Sequence, residues 1–251
     1  MTAAAETPAV EFRHVTKRLG SRPVLDDLSL VVPRGQAVCL LGRSGTGKSV
    51  TLKHIVGLMR ADAGTVLVEG EDIARLGPAD LARQRRRIGL LFQNGALFDS
   101  ISVGENVAFP MRRHLRLPDD AIRARAADLL RQVGLGDDYD TMPGVLSGGM
   151  RKRAGLARAL ALEPAILLAD EPSAGLDPVT AGDIDRLLVD LKQRTGATLI
   201  VVTHNIPSAR VVGDALVFLD EGRVIAQGDA AALERSDSAL VRQFMRAGGT
   251  G

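Results

Sequence analysis

Apolar and polar positions alternate along Val10-Glu11-Phe12-Arg13-His14-Val15, the pattern of a strand with one buried face. A turn at Gly20-Ser21-Arg22-Pro23 leads to a second strand over 24–32. Pro33-Arg34-Gly35 then interrupts the chain before an unbroken apolar run, Ala37-Val38-Cys39-Leu40-Leu41. Beyond it Leu52, Ile55, Val56 and Met59 recur at helical spacing. Ala63-Gly64 reads as a turn into the strand Thr65-Val66-Leu67-Val68, and Glu69-Gly70 as a hairpin-type turn after it. Residues 78–87 read as a short basic helix and 88–92 as a strand. Arg83, Arg85, Arg86 and Arg87 are read as a solvated face or as a contact to acidic lipid or a partner.

From Asn94 to Leu162 the pattern turns helical. Ile122, Ala126, Leu129, Leu130 and Val133 form an apolar stripe, with Arg123, Arg125, Asp128 and Arg131 outside it. A further helix is expected behind Leu146-Ser147-Gly148-Gly149-Met150. Ala165-Ile166-Leu167-Leu168-Ala169 is apolar without alternation, as a strand buried on both faces of a parallel sheet must be. A helix carrying Ile184, Leu187, Leu188 and Leu191 precedes a strand over 198–202, closed by Thr203-His204. Late strands at 215–219 and 223–226 flank Asp220-Glu221-Gly222, a helix is expected over 238–246, and 248–251 are expected to fray. Strands alternating with helices predict an α/β fold. The helical insertion divides it: 1–93 with 163–230 form one discontinuous core, 94–162 a helical subdomain and 231–251 a C-terminal helical tail.

Composition narrows the class without changing that picture. With 251 residues, 45% hydrophobic and 25% charged, the chain is an ordinary globular protein. Its 32 Lys and Arg nearly balance 30 Asp and Glu, so no strong field for nucleic acid is expected. Aromatic residues make up 3%, with no Trp, which leaves few platforms for stacking bases. The single cysteine, Cys39, excludes an intrachain disulfide and is expected to be a buried small hydrophobe. The first nine residues lack the basic start and apolar core of a secretory signal, and no run approaches the ~20 apolar residues of a membrane span. A soluble, cytoplasmic protein is the expectation.

The apolar run at 37–41 opens directly into Gly42-Arg43-Ser44-Gly45-Thr46-Gly47-Lys48-Ser49, of the form G-x-x-x-x-G-K-S, followed by Val50 in the predicted helix. Strand, Gly-rich loop and helix in this order form a P-loop. The glycines let main-chain N–H groups curl around phosphate oxygens, and the helix presents its positive end to the same anion. Lys48 has the reach for the β- and γ-phosphates, and the Ser49 hydroxyl can ligate Mg²⁺. Asp170 and Glu171 end an apolar strand, where α/β sheets place their chemistry. One carboxylate there can hold Mg²⁺ and the second can deprotonate an attacking water; two solvated carboxylates before a Pro turn are the alternative. His204, at the end of another sheet strand, has a γ-phosphate contact or a structural role open to it. Ser147-Gly148-Gly149 at a helix start reads equally as a second anion site or as a helix cap.

Taken together and in order, these stretches resemble the nucleotide-binding subunit of ABC transporters. The set comprises the P-loop, Gln93, Leu146 to Met150, the strand ending at Asp170, Glu171, Ser173-Ala174-Gly175-Leu176-Asp177 and His204. The resemblance implies a P-loop NTPase fold, a RecA-like core with an antiparallel β subdomain and an inserted α-helical signature subdomain. It further implies ATP held by Lys48 and the loop amides, Mg²⁺ served by Ser49, Gln93 and Asp170, Glu171 as general base and His204 as γ-phosphate clamp. Ser147, Gly148 and Gly149 would bind the ATP of a second subunit in a head-to-tail homodimer, with Asp177 at that interface. Integral-membrane permease subunits would take up the resulting motion. Two departures stand out. Leu19, or Arg18 beside it, occupies the place where many relatives stack an aromatic residue on adenine, and Met150 stands where Gln is common.

One stretch is more specific. Leu91-Phe92-Gln93-Asn94-Gly95-Ala96-Leu97-Phe98-Asp99-Ser100, with Val103-Gly104-Glu105-Asn106-Val107-Ala108-Phe109-Pro110, is similar to ATPases of bacterial phospholipid (Mla/Mce-type) transporters. Met150 and the tail Val241-Arg242-Gln243-Phe244-Met245 fit that group. The similarity implies an Mce-type lipid-binding protein among the partners, in some systems a STAS-domain regulator, and a place on the inner face of the bacterial inner membrane. An ABC ATPase for another substrate, such as an amino acid or metal, and a soluble ABC ATPase outside transport are the competing readings.

Overall fold

The computed structural model describes residues 7–247. The fraying expected of 248–251 and the reading of the first six residues lie outside the described residues. In chain order the strands are β1 (Val10–Leu19), β2 (Arg22–Val32), β3 (Ala37–Leu41), β4 (Ala63–Val68), β5 (Glu71–Asp72), β6 (Ile88–Leu91), β7 (Ile166–Asp170), β8 (Thr198–Val202), β9 (Ala215–Asp220) and β10 (Arg223–Gly228). The helices are α1 (Lys48–Ile55), α2 (Pro78–Arg85), α3 (Val103–His114), α4 (Asp119–Gln132), α5 (Gly148–Leu160), α6 (Pro178–Thr195), α7 (Ile206–Val212), α8 (Ala230–Glu234) and α9 (Ala239–Ala247). None is long and apolar enough to cross a membrane among the described residues.

Two sheets form. One is antiparallel and four-stranded, in the order β2-β1-β4-β5. The other is six-stranded, in the order β10-β9-β3-β8-β7-β6, with its five strands from β9 to β6 parallel. The period-two alternation of a strand sorts the side chains of the parallel sheet onto two cores. Val38, Leu40, Ile166, Leu168, Ile200, Val202, Val217 and Leu219 face α1 and the antiparallel sheet, where they meet Phe12, Leu28, Leu52 and Ile55. Cys39, Leu41, Leu167, Ala169, Leu199, Val201, Leu216 and Phe218 face α5, α6 and α7. The tail closes over this second face through Leu233, Val241 and Met245, with Phe244 edge-on to Phe218 at 5.0 Å. Cys39 is buried there as expected, and burial pushes its thiol up to about 12.

A third core belongs to α3, α4 and α5, built on Val107, Met111, Ile122, Ala126 and Leu130. Helix α5 serves two cores at once. Ala154, Ala157 and Ala161 enter this cluster, while Leu156 and Leu160 enter the sheet core. At the entrance of α3 the Ser102 hydroxyl accepts from the Glu105 N–H at 3.3 Å. Asn106 is fully buried. Its Oδ1 accepts from the Phe98 N–H at 2.7 Å, and its Nδ2 donates to the carbonyls of Phe98, Ile101 and Ser102 at 3.0 to 3.2 Å. That single side chain closes the loop running from Gln93 to α3.

Several expectations need correction. Strand β1 runs on to Leu19, because bulges shift its register after Phe12 and reset the alternation. His14 and Asp27 lie in left-handed conformations there, with φ of 50° and 55°. Ala63-Gly64 is not a turn but the start of β4, opposite that irregular stretch. Met59 is outside α1, which stops at Ile55 because Gly57 turns left-handed, with φ of 66°, its N–H donating to the His54 carbonyl at 3.0 Å and the Leu58 N–H to the Lys53 carbonyl at 2.9 Å. The Arg85 guanidinium then donates to the carbonyls of Val56 and Gly57 at 2.8 and 3.1 Å. Arg83, Arg85, Arg86 and Arg87 are all exposed, as a solvated face requires, and two of them also form ion pairs. Arg83 pairs with Glu71 and Asp80, and Arg87 joins Arg34 on the nearly buried Glu69. Helices α7 and α8 are too short for periodicity to register. Their caps are legible: Asn205 Oδ1 accepts from the Ser208 N–H, and Asp229 Oδ1 from the Ala232 N–H.

Replacing Asn106 with Ala removes the side-chain partner of the Phe98 N–H and of the Phe98 and Ile101 carbonyls. Asn106→Ala is expected to destabilise the chain by about 2–3 kcal/mol, read as a lowered urea midpoint at unchanged slope.

Candidate active site

The loop between β3 and α1 is shaped by what surrounds it. Gly42 has φ of 145°, and a Cβ there would lie 2.2 Å from the Leu219 carbonyl oxygen. Gly47 has φ of 102°, and a Cβ there would lie 2.6 Å from the Val24 carbonyl oxygen. Only glycine satisfies both the left-handed backbone and the close approach. Gly47 caps α1 without any side-chain bond, so the first N–H groups of the helix remain available to an anion. Thr46 Oγ1 donates back to the Arg43 carbonyl at 2.9 Å and tightens the turn. Lys48 is buried, and its Nζ donates to the carbonyls of Gly42 and Arg43 at 2.7 and 2.8 Å. Burial pulls its pKa down, against the opposing pull of Glu171 and Asp170.

Across the cleft stands the end of β7. Ser49 Oγ donates to Asp170 Oδ1 at 3.2 Å. The Asp170 carboxyl is held above its usual range, first by burial and then by the Glu171 charge, with the Ser49 bond and Lys48 working the other way. Glu171 adopts φ of 50°. A left-handed conformation costs a residue with a Cβ roughly 1–2 kcal/mol, and the contacts around Glu171 hold it there. Its N–H donates to the Val202 carbonyl at 2.8 Å, and its own carbonyl accepts from the Ala174 N–H at 3.2 Å and from Lys152 Nζ at 3.1 Å. Its Oε1 lies 2.8 Å from His204 Nδ1, and the His204 N–H reaches Oε2 at 3.4 Å. The imidazole is largely exposed, with 65% of its side chain accessible against 14% for Glu171, so the ring faces the cleft.

These groups line one cleft of about 620 Å³. Ser44, Gly45, Gly47, Lys48, Ser49 and Val50 form its floor, Gln93, Asp170, Glu171 and His204 its wall. Gly42, Arg43 and Thr46 shape the loop without lining the cleft. Leu19, not Arg18, reaches the rim, together with Arg22 and Val24; the Arg18 guanidinium turns to the Ser21 carbonyl. Sequence reading missed Arg22 and Val24, because nothing in their type or spacing separates them from ordinary strand residues. A cavity of comparable volume, about 640 Å³, opens where β3, β7 and β8 begin, and contains none of the expected site residues.

The remaining candidates lie apart from this cleft. Ser147 Oγ accepts from the Met150 N–H at 3.2 Å and caps α5, leaving Gly148 exposed beside Leu176. Asp177 caps α6, accepting from the N–H groups of Val179 and Thr180 at 3.0 Å and from Thr180 Oγ1 at 2.6 Å. Those bonds hold its carboxyl below the usual range. Large apolar side chains sit exposed on either side, Val145 at 78% and Val179 at 74%.

Comparison with known proteins agrees with this arrangement. The family model described as "ABC transporter" matches residues 25–174. The chain is 44% identical over 237 residues to a probable ribonucleotide transport ATP-binding protein of Mycobacterium leprae, covering 94% of this chain and 68% of that one. It is 39% identical over 236 residues to the intermembrane phospholipid transport system ATP-binding protein MlaF of Escherichia coli, covering 94% and 88%. Among solved structures, a dimeric ATP-binding cassette in a post-hydrolysis state bound to ADP and Pi superposes with a TM-score of 0.81 at 33% identity, over 88% of this chain and 98% of that one. A subunit of an ABC transporter complex from Clostridium perfringens superposes with a TM-score of 0.82 at 28% identity, over 95% and 99%. A P-loop cleft closed by Asp170, Glu171 and His204, on a chain so similar along nearly its whole length to these proteins, belongs to the ABC transporter family as one of its ATPases.

Proposed function

We propose that this ATPase energises phospholipid transport between or across membranes through an integral-membrane permease. The contact chain Ser49–Asp170 and Glu171–His204 around the phosphate loop carries the enzymatic part of this reading. Glu171 takes the proton of a water aimed at the γ-phosphorus, the bond to the β–γ bridging oxygen breaks, and the leaving charge falls among the loop N–H groups and Lys48. His204 orients the Glu171 carboxylate and reaches the γ-phosphate. The donor set fits Mg²⁺: the Ser49 hydroxyl, the half-buried Asp170 carboxylate and the Gln93 amide oxygen are hard ligands, too few to cage a metal alone but sufficient beside nucleotide phosphates. Bound there, the ion would neutralise phosphate charge.

Ser147 and Gly148 lie exposed at a helix start outside their own cleft, with Gly149 buried behind them against Thr180. That supports a homodimer in which each subunit offers this start to its partner's ATP, with Asp177, Val145 and Val179 at the seam. The stretch 94–162 acts as the subdomain that carries the coupling, 1–93 with 163–230 as the ATP-binding core and 231–251 as its tail. Phospholipid as cargo is supported by the similarity of the Gln93–Pro110 stretch and by the name of the E. coli relative. An Mce-type lipid-binding protein, a STAS-domain regulator and a position on the inner face of the bacterial inner membrane follow from the same reading. The name of the M. leprae relative supports a second reading, a ribonucleotide cargo.

Three measurements test this. Lys48→Ala should abolish nucleotide binding by calorimetry, and wild-type affinity would contradict the role of the loop. Glu171→Gln should still bind ATP and accumulate as a dimer, while turnover drops about 10²–10⁴-fold; undiminished ATPase would sink the general base. Purification from membranes with the native partners should bring down a permease and an Mce-type chain with phospholipid bound. A nucleotide or amino-acid permease in their place would reject the lipid reading.

A further inference from the structure

Lys152, in the second turn of α5, is a cation that the site chemistry leaves unexplained. It is 5% exposed. Its ammonium is held by two main-chain carbonyls: Nζ donates to Ala174 at 2.6 Å and to Glu171 at 3.1 Å. Burial pulls its pKa down while the Glu171 charge opposes the shift. An ammonium withdrawn from water is costly, and a neutral side chain of similar length would fill this space at lower cost. The two carbonyls it binds bracket a tight turn, because the Ala174 N–H also donates to the Glu171 carbonyl at 3.2 Å. Lys152 therefore clamps both ends of the turn that begins at the left-handed Glu171. On the far side of that turn Ser173 Oγ lies 3.1 Å from Ser208 Oγ, on the helix that follows His204.

Helix α5 itself begins at Gly148, capped by Ser147, four residues before Lys152. A helix is stiff over one turn, so any displacement of its start reaches the ammonium and, through it, the main chain of Glu171. We infer that Lys152 is a positioning residue that ties the anion-binding start of α5 to the Glu171 backbone, so that engagement of a partner's nucleotide at Ser147–Gly149 sets the carboxylate in the subunit's own cleft. This rests on the proposed roles of Glu171 and of the α5 start. It is distinct from closure of the dimer itself, which brings surfaces together. Lys152 carries the signal within one subunit, from one ATP to the other.

The test compares Lys152→Met, Glu171→Gln and the double variant in the full-length chain. Met preserves length and removes the donors. Lys152→Met should lower kcat on the order of 10- to 100-fold, the cost of a displacement of about 1 Å in a reacting group. KM and calorimetric affinity for ATP should stay as in the wild type. Lys152→Arg, which keeps a cation and several donors, should retain most of the turnover. In the Glu171→Gln background the Lys152→Met change should remove nothing further. Unchanged kcat in Lys152→Met, or full multiplication of the two losses in the double variant, overturns the role of Lys152. Unchanged turnover in Glu171→Gln alone overturns the general base instead. Should Lys152→Met not fold, Lys152→Gln with its shorter single donor group is measured in the same cycle, with the same two outcomes deciding.

Discussion

In-register pairing of β3, β8 and β7 puts Leu40, Val202 and Asp170 in one line across the parallel sheet. The groups proposed to act on ATP hang from the end of that line. The phosphate loop leaves β3 just beyond Leu41, Thr203-His204 leaves β8, and Glu171 leaves β7, so three stretches far apart in sequence emerge side by side at the carboxyl edge. A slip of one residue in such a ladder would send each side chain to the opposite core, and the two cores are close-packed around different sets of residues. The register is therefore a consequence of the two hydrophobic cores, and the distance between Ser49 and Asp170 is a consequence of the register.

The edge of the sheet positions these groups but does not by itself hold them. Glu171 sits in a conformation unfavourable for a residue with a Cβ, and its backbone is fixed from three sides: Val202 from the neighbouring strand, Ala174 from its own turn and Lys152 from α5. Strain at a reacting group persists only where the surroundings over-determine it. Here one of the three restraints comes from a helix whose start is exposed. Helix α5 also joins the helical core to the sheet core, through alanines on one side and leucines on the other. The helical core and the turn at Glu171 are therefore held by one and the same helix.

Much of this was legible in the residue order. The two unbroken apolar runs before Gly42 and Asp170 announced buried parallel strands, and the glycines with Lys48-Ser49 announced the phosphate loop. The stripe Ile122–Ala126–Leu130 announced a helix of the inserted lobe. Legibility failed where the signal was tertiary. The bulges at His14 and Asp27 erased alternation in β1. The end of α1 was a local signal passed over: Gly57 turns left-handed and closes the helix, although the apolar spacing ran on to Met59. Nothing in its residue type marks Asn106 as a buried bolt, yet it is fully buried and bonds the loop that follows Gln93.

Sequence by itself determined the chemistry available to this protein: a loop that only glycines can form, an ammonium and a hydroxyl beside it, and two adjacent carboxylates ending a buried strand. Those are local properties, fixed by residue type and by spacing along a single element. The fold decided which of these groups meet. Ser49 reaches Asp170 and His204 reaches Glu171 because three strands pair in one register, while Ser147 and Gly148 are kept out of the same cleft. Leu19 rather than Arg18 lies at the rim, and Lys152 lies under the catalytic turn, for the same reason. The direction of a side chain across a contact between elements distant in the chain is set by packing, and no periodicity along one element records it.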